Sequence, residues 1–245
     1  MGDEAAAAGA VGDPLALCLF PSKVIPLKGS ILGWVDLWRG ILLCDVLSDS
    51  PKLQYIPMPT PMPGNEGLED EGEPTYFRDV TGCGDLIKVV EVEYKYNGTV
   101  VTDPSNYIHE DWTLVTLTRR LDSRDWERGH EVDIGDITVS QDSYGGRTDL
   151  LPRFCDENGT PSLKKMPLGL PTLCDWNNMV YFMCKVNCKD YNGWVVAVDM
   201  SSNKLQAVSS FCAPTLRGFS TAYYPSSFTN YLNTSSPGTY CFQIE

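Results

Sequence analysis

The feature that most restricts what this chain can fold into is a recurring order of segments: strand, reversal, strand, polar turn, strand. It occurs three times, with comparable strands at Ile41, Trp112 and Trp194, spacings of 71 and 82 residues. In the first unit, Gly33–Leu37 and Ile41–Leu47 flank Arg39-Gly40, which reads as a tight hairpin turn. Ser48–Pro51 is then a second turn and Lys52–Ile56 a third strand. The second unit runs through Asp85–Tyr94, Trp112–Leu121, a turn at Asp122–Asp125 and an edge strand at Trp126–Ile134. The third uses Met179–Val186, Trp194–Met200, a turn at Ser201–Asn203 and Lys204–Phe211. Each unit has a preceding segment available as a fourth strand. Helical periodicity is poor throughout, and only Ser226–Leu232 fits a helical turn. The pattern predicts an all-β chain of about three blade-like antiparallel units, forming a partial or irregular β-propeller, with a β-sandwich as the alternative.

The hairpin can be written out in register. If Trp38 pairs with Ile41, then Leu37 opposes Leu42, Asp36 opposes Leu43, Val35 opposes Cys44 and Trp34 opposes Asp45. One face is then Val35, Leu37, Leu42, Cys44 and Val46; the other carries Trp34, Asp36, Trp38, Ile41, Leu43 and Asp45. A hairpin with so little solvent-facing character is covered on both sides, so Trp34 and Trp38 are expected to be largely buried. Residues 1–30 read as a flexible N-terminus, 31–232 as one all-β domain and 233–245 as a tail. Within the domain, 57–75 (PMPTPMPGNEGLEDEGEPT) reads as a surface loop, too rich in proline for a strand and too acidic to bury. Propeller rings close with about four to eight blades, so three units predict an open arc or a sandwich. An open arc would expose Val35, Leu37, Leu42 and Val46, and from that follow marginal stability and self-association.

Charge excludes several partners. Lysine and arginine total 19 against 32 acids, a formal net charge of −13, which repels nucleic acid and anionic membrane surfaces. Arg119-Arg120 and Lys164-Lys165 are too short to make a basic patch, so no nucleic-acid partner is expected. The N-terminus carries acids where a signal peptide carries positive charge, and Leu15–Phe20 is too short for a signal core. No stretch reaches 18 apolar residues, so no membrane partner is expected either. Nine cysteines, an odd number, suggest reduced thiols and a cytoplasmic or nuclear location.

Candidate chemistry is sparse. Asp36 and Asp45 share a face in the register above and invite a paired-carboxylate reading. The competing reading has Asp45 accepting from the Trp34 indole and Asp36 satisfying backbone amides or Arg39. Cys83 could pair with His109 or His130, but its flanking glycines suit a turn equally well. Cys184 and Cys188, with Cys174 nearby, lack metal-site spacing, and Gly218–Ala222 lacks the second glycine of a nucleophile elbow. Trp34, Trp112 and Trp194 read as core residues rather than a ligand cage. No catalytic, cofactor or metal site is assigned.

The stretch G-W-V-D-L-W-R-G-I-L-L-C-D-V-L (Gly33–Leu47) resembles the signature of a plant family called domain of unknown function 1618. Asp111–Leu117, Gly193–Met200 and Phe219–Leu232 also look similar to that family, so the resemblance spans roughly 31–232. Family members resemble the β-rich domains that follow F-boxes and bind proteins, although no F-box helix is present here. The resemblance implies a shortened family member. The expected function is therefore a non-enzymatic protein-interaction module. The alternative is a hydrolase or carbohydrate-active enzyme using Asp36, Asp45 or Asp199 in a propeller-like cleft.

Overall fold

The computed structural model describes residues 21–68, 72–96, 99–100, 111–140, 143, 158–160, 162–164, 168–184 and 192–212. They form three antiparallel sheets in chain order. Sheet 1 contains β1 (Lys23–Pro26), β2 (Ile31–Asp36), β3 (Gly40–Asp45) and β4 (Leu53–Pro57), paired in that order. Sheet 2 contains β5 (Arg78–Cys83), β6 (Leu86–Tyr96), β8 (Asp111–Arg120) and β9 (Glu127–Asp133), with the short β7 (Thr99–Val100) beside β6. Sheet 3 contains β10 (Leu168–Leu173), β11 (Met179–Cys184), β12 (Asn192–Asp199) and β13 (Lys204–Cys212). Ile41, Trp112 and Trp194 lie on the third strand of sheets 1, 2 and 3 respectively. The three expected units are thus the three sheets, and the fold is all-β and not closed into a ring.

The sheets stack through their faces. Ile25, Val35, Ile41, Leu43 and Ile56 of sheet 1 pack with Val80, Ile87 and Val89 of sheet 2. The opposite side of sheet 2, with Val90, Val92, Tyr94, Trp112 and Leu114, packs with Val180, Phe182, Trp194 and Val196 of sheet 3. Strand β6 serves both interfaces because its alternate residues point to opposite sides. At Gly82 a Cβ would run into the Pro26 carbonyl, so glycine here lets β1 and β5 approach.

Three expectations are corrected. Strand β1 lies inside the stretch 1–30 expected to be flexible; its four residues K-V-I-P are too few to announce a strand. The first hairpin closes with a three-residue loop, Leu37-Trp38-Arg39, not a turn at Arg39-Gly40: Asp36 pairs with Gly40, Val35 with Ile41 and Trp34 with Leu42. Asp36 Oδ1 accepts from the amides of Trp38 and Arg39 at 3.1 and 3.0 Å, which fixes that loop. Gly40 must then lie in the strand, since a Cβ there would meet the Tyr55 ring and the Ile56 carbonyl. The slip is by three positions, an odd number, so every β3 side chain changes face. Val35 shares its buried face with Ile41 and Leu43, while Val46 is 43% exposed. Trp34 and Trp38 are only half-buried.

The third correction concerns 57–75, expected to lie on the surface: among its described residues exposed and buried positions alternate. Met58, Met62, Asn65 and Leu68 are buried, and Asn65 has no exposed surface. Two 3-10 turns, Pro63–Asn65 and Pro74–Tyr76, shape this segment. It lies over the part of β6 where Glu91 and Glu93 alternate with valines, so positions that read as solvent-facing are covered.

Candidate functional site

None of the carboxylates considered for catalysis is available. Asp36 lies at the loop end of the hairpin and Asp45 opposes Ile31 at its open end. Five residues along a strand separate them by roughly 17 Å, well beyond the ~5–9.5 Å of a glycosidase pair. Asp36 is engaged by the loop amides and by Arg39 Nη1 at 3.3 Å, as the structural reading expected. Asp45 accepts from the Ser30 hydroxyl and the Leu47 amide; the Trp34 indole opposes Leu42 instead. Asp199 clamps the turn before β13, accepting from the Ser201 amide at 2.8 Å and the Ser202 hydroxyl at 2.8 Å. Partial burial works to raise its pKa, but hydrogen bonds from Ser202, Ser201 and Gln206 prevail and hold the carboxyl below its usual range.

The thiols do not assemble a site among the described residues. Cys83 ends β5 and His130 lies midway along β9, and both are exposed. Three strand spacings and about four residues of β8 put them roughly 20 Å apart. Cys184 joins the core between sheets 2 and 3, while Cys174 belongs to the cluster on the other side of sheet 3. Burial raises the Cys174 thiol pKa, keeping it protonated. His109, Cys188 and Gly218–Ala222 lie outside the described residues. No group of three potential metal ligands occurs among the described residues. The crevice lined by Leu43, Asp45, Lys52 and Leu121 holds about 160 Å³. That is below the ~300 Å³ at which small-molecule sites begin.

Two arrangements stand out instead. The first is a buried polar cluster on β5 that pattern reading missed. Arg78, 1% exposed, donates to Glu91 Oε2 at 2.8 Å, to the Leu37 carbonyl and to the Pro59 carbonyl, and lies over the Trp38 ring. Glu91 also accepts from the Met62 amide and Asn65 Nδ2, each at 2.8 Å. The neighbouring Asp79 accepts from Lys23 of β1 at 2.6 Å and from the Leu173 amide of β10 at 2.8 Å. These two adjacent residues therefore join all three sheets; the Nη atoms of Arg78 are taken up by acceptors of this chain, and only its buried Nε finds none. The R-D dipeptide opening a strand was the only sequence signal.

The second is the outer face of sheet 1. Pairing aligns Val24, Trp34, Leu42 and Tyr55 in one row and Pro26, Leu32, Cys44 and Leu53 in the next. None is charged, and Val24 and Leu53 are 49% and 55% exposed. This face replaces the Val35–Leu37–Leu42–Val46 surface expected from the sequence: of those four, only Leu42 belongs to it. Burial, then the field of Asp36, raises the Tyr55 phenol pKa against the opposing pull of Arg39, and its hydroxyl donates to the Arg39 carbonyl. Trp112 and Trp194, by contrast, are 1% and 5% exposed and belong to the core between sheets 2 and 3, as expected.

Among the described residues no helix is long and apolar enough to cross a membrane. No curated protein and no solved structure matches this chain at a significant level. A family model does match, over residues 34–181, which is over half of the chain and includes the first hairpin from Trp34 onward. The chain belongs to the family described as protein of unknown function (DUF1618).

Proposed function

We propose that this chain is a non-enzymatic binding module that holds a protein partner on the outer face of sheet 1. The observation that carries this reading is the set of eight uncharged residues on that face, in a chain whose net charge is −13. Sheets 2 and 3 each receive the preceding sheet on an apolar face, built around Val89 and Ile87 in one and Phe182 and Trp194 in the other. Sheet 1 has the same kind of face and no preceding sheet among the described residues. The occupant is a partner protein presenting an apolar surface, neutral or basic overall. A second copy would bring another −13 charges against the first and is disfavoured at low salt.

The test places a photoreactive amino acid at Val24 or Leu53, with the exposed Trp176 as control position. A partner cross-linked from the outer face is then purified, and its affinity is measured for wild type and for Leu42→Asp. The reading requires cross-linking from the sheet 1 positions alone and at least a roughly tenfold affinity loss in a variant that still unfolds cooperatively. Wild-type affinity in Leu42→Asp would sink it. Cross-linking between two copies of this chain would replace the foreign partner with a self-associating face.

A further inference from the structure

Sheet 2 contains a second buried arginine that the fold does not complete. Arg119 is 7% exposed and pairs with Ile87, so it points toward sheet 1. Its guanidinium lies 5.9 Å from the centre of the Trp126 ring, and Trp126 in turn donates its indole N–H to the Pro57 carbonyl of β4 at 3.0 Å. Arg119 forms no hydrogen bond and no ion pair among the described residues, and its Nε is wholly buried without an acceptor. Neither Nη is in that condition, and with no hydrogen bond to either among the described residues the Nη edge keeps some contact with solvent. Burial lowers its pKa, with Asp125 opposing from beyond ion-pair distance, so the charged form has lost hydration that no hydrogen-bond acceptor among the described residues restores. Arg78, on the same sheet and also stacked on a tryptophan, likewise has a buried Nε without an acceptor, but a carboxylate and two carbonyls take up its Nη atoms, which at Arg119 find none among the described residues.

We propose that Arg119 and Trp126, at the seam between sheets 1 and 2, form a receptor site for a carboxylate, which the Nη edge of the guanidinium would grip while the indole shields it. A planar guanidinium presents paired donors that match a carboxylate's two oxygens, and partial removal from water strengthens the pairing. A single negative charge fits better than a doubly charged phosphate. Asp125 stands nearby, and the whole chain is acidic. This site is separate from the outer face of sheet 1 and does not depend on the partner proposed for it.

The experiment follows the arginine Nε–H signals of the full chain by nitrogen-15 NMR. Sodium acetate is titrated against sodium chloride at equal ionic strength. The Arg119 signal is the one lost in Arg119→Met, and Arg119→Lys keeps the charge but not the fork. Expected is a saturable shift of that signal in acetate, with no saturation in chloride and no shift of the Arg78 signal. A parallel Trp126 fluorescence titration should half-saturate at a concentration at least roughly tenfold higher in Arg119→Lys. An unmoved Arg119 signal, or equal response to chloride, overturns the proposal. Saturation by phosphate but not acetate overturns the carboxylate assignment. Circular dichroism confirms that each variant is folded, so that loss of response is not loss of structure.

Discussion

Arg78 and Arg119 are both arginines of sheet 2, both more than nine-tenths buried, both stacked on a tryptophan and both left with a buried Nε that finds no acceptor, yet they differ at their Nη atoms. Arg78 sits where the first hairpin loop, the proline-rich segment and β6 converge, and each supplies an acceptor. Arg119 sits one strand in from the edge of its sheet, facing apolar residues and one indole. Burial of a charge therefore says little by itself about its role. What separates a fastener from an open site is whether the acceptors around it come from the same chain.

Substitutions can break that contrast. Arg78→Met should cost about 3–5 kcal/mol, because it strands Glu91 in the core without its cation. Urea unfolding measures this, and a loss below ~1 kcal/mol would mean the pair fastens nothing. Adding Glu91→Leu to that variant should recover much of the loss. Asn65→Ala should come next, at about 1.5–3 kcal/mol, since it removes the Nδ2 donor from Glu91 Oε1 and the Val92 carbonyl. Limited proteolysis should show cleavage within 57–68 accelerating together with that loss. Arg119→Met should change stability by less than about 1 kcal/mol despite similar burial, because lost stacking offsets relieved desolvation. A loss as large as that of Arg78→Met would show that Arg119 is a fastener too.

The smallest expected effect lies at the surface. The folded-state pKa of Asp199 is depressed below its unfolded value of about 3.9, so its stabilising contribution is present above that pH. It is lost as the pH falls through the lower folded value. Asp199→Asn should flatten the acid limb of the stability profile slightly below about pH 4. An unchanged acid limb would mean that the turn hydrogen bonds contribute nothing measurable.

Alternation and turn residues made the three sheets legible, because strands such as Met179–Cys184 bury both faces and are bounded by polar residues in the sequence. The first hairpin register was not legible. It depends on Asp36 folding back onto two amides and on Arg78, some forty residues later, holding the Leu37 carbonyl. The proline-rich segment misled for a related reason: acid and glycine content signals solvent, but Glu91 and Asn65 give that backbone buried partners. Among the site residues, Trp34 and Leu42 were visible as apolar positions, but which face they share follows only from the register. Arg119 was visible only as half of a basic pair, with nothing in its neighbours to say that it turns inward.

The position of Asp79 bears on how the molecule comes apart. Each sheet is a local meander, and a row of such units would ordinarily fray from its ends, one unit at a time. Here one carboxylate holds Lys23, 56 positions earlier, and the Leu173 amide, 94 positions later. Contacts spanning such distances cost loop-closure entropy and form late, so they slow folding. Once made, they oblige sheets 1 and 3 to loosen from sheet 2 together. The expected signature is one unfolding transition reported alike by the tryptophans of sheet 1 and those of sheet 3, with slow refolding through the docking of first strands.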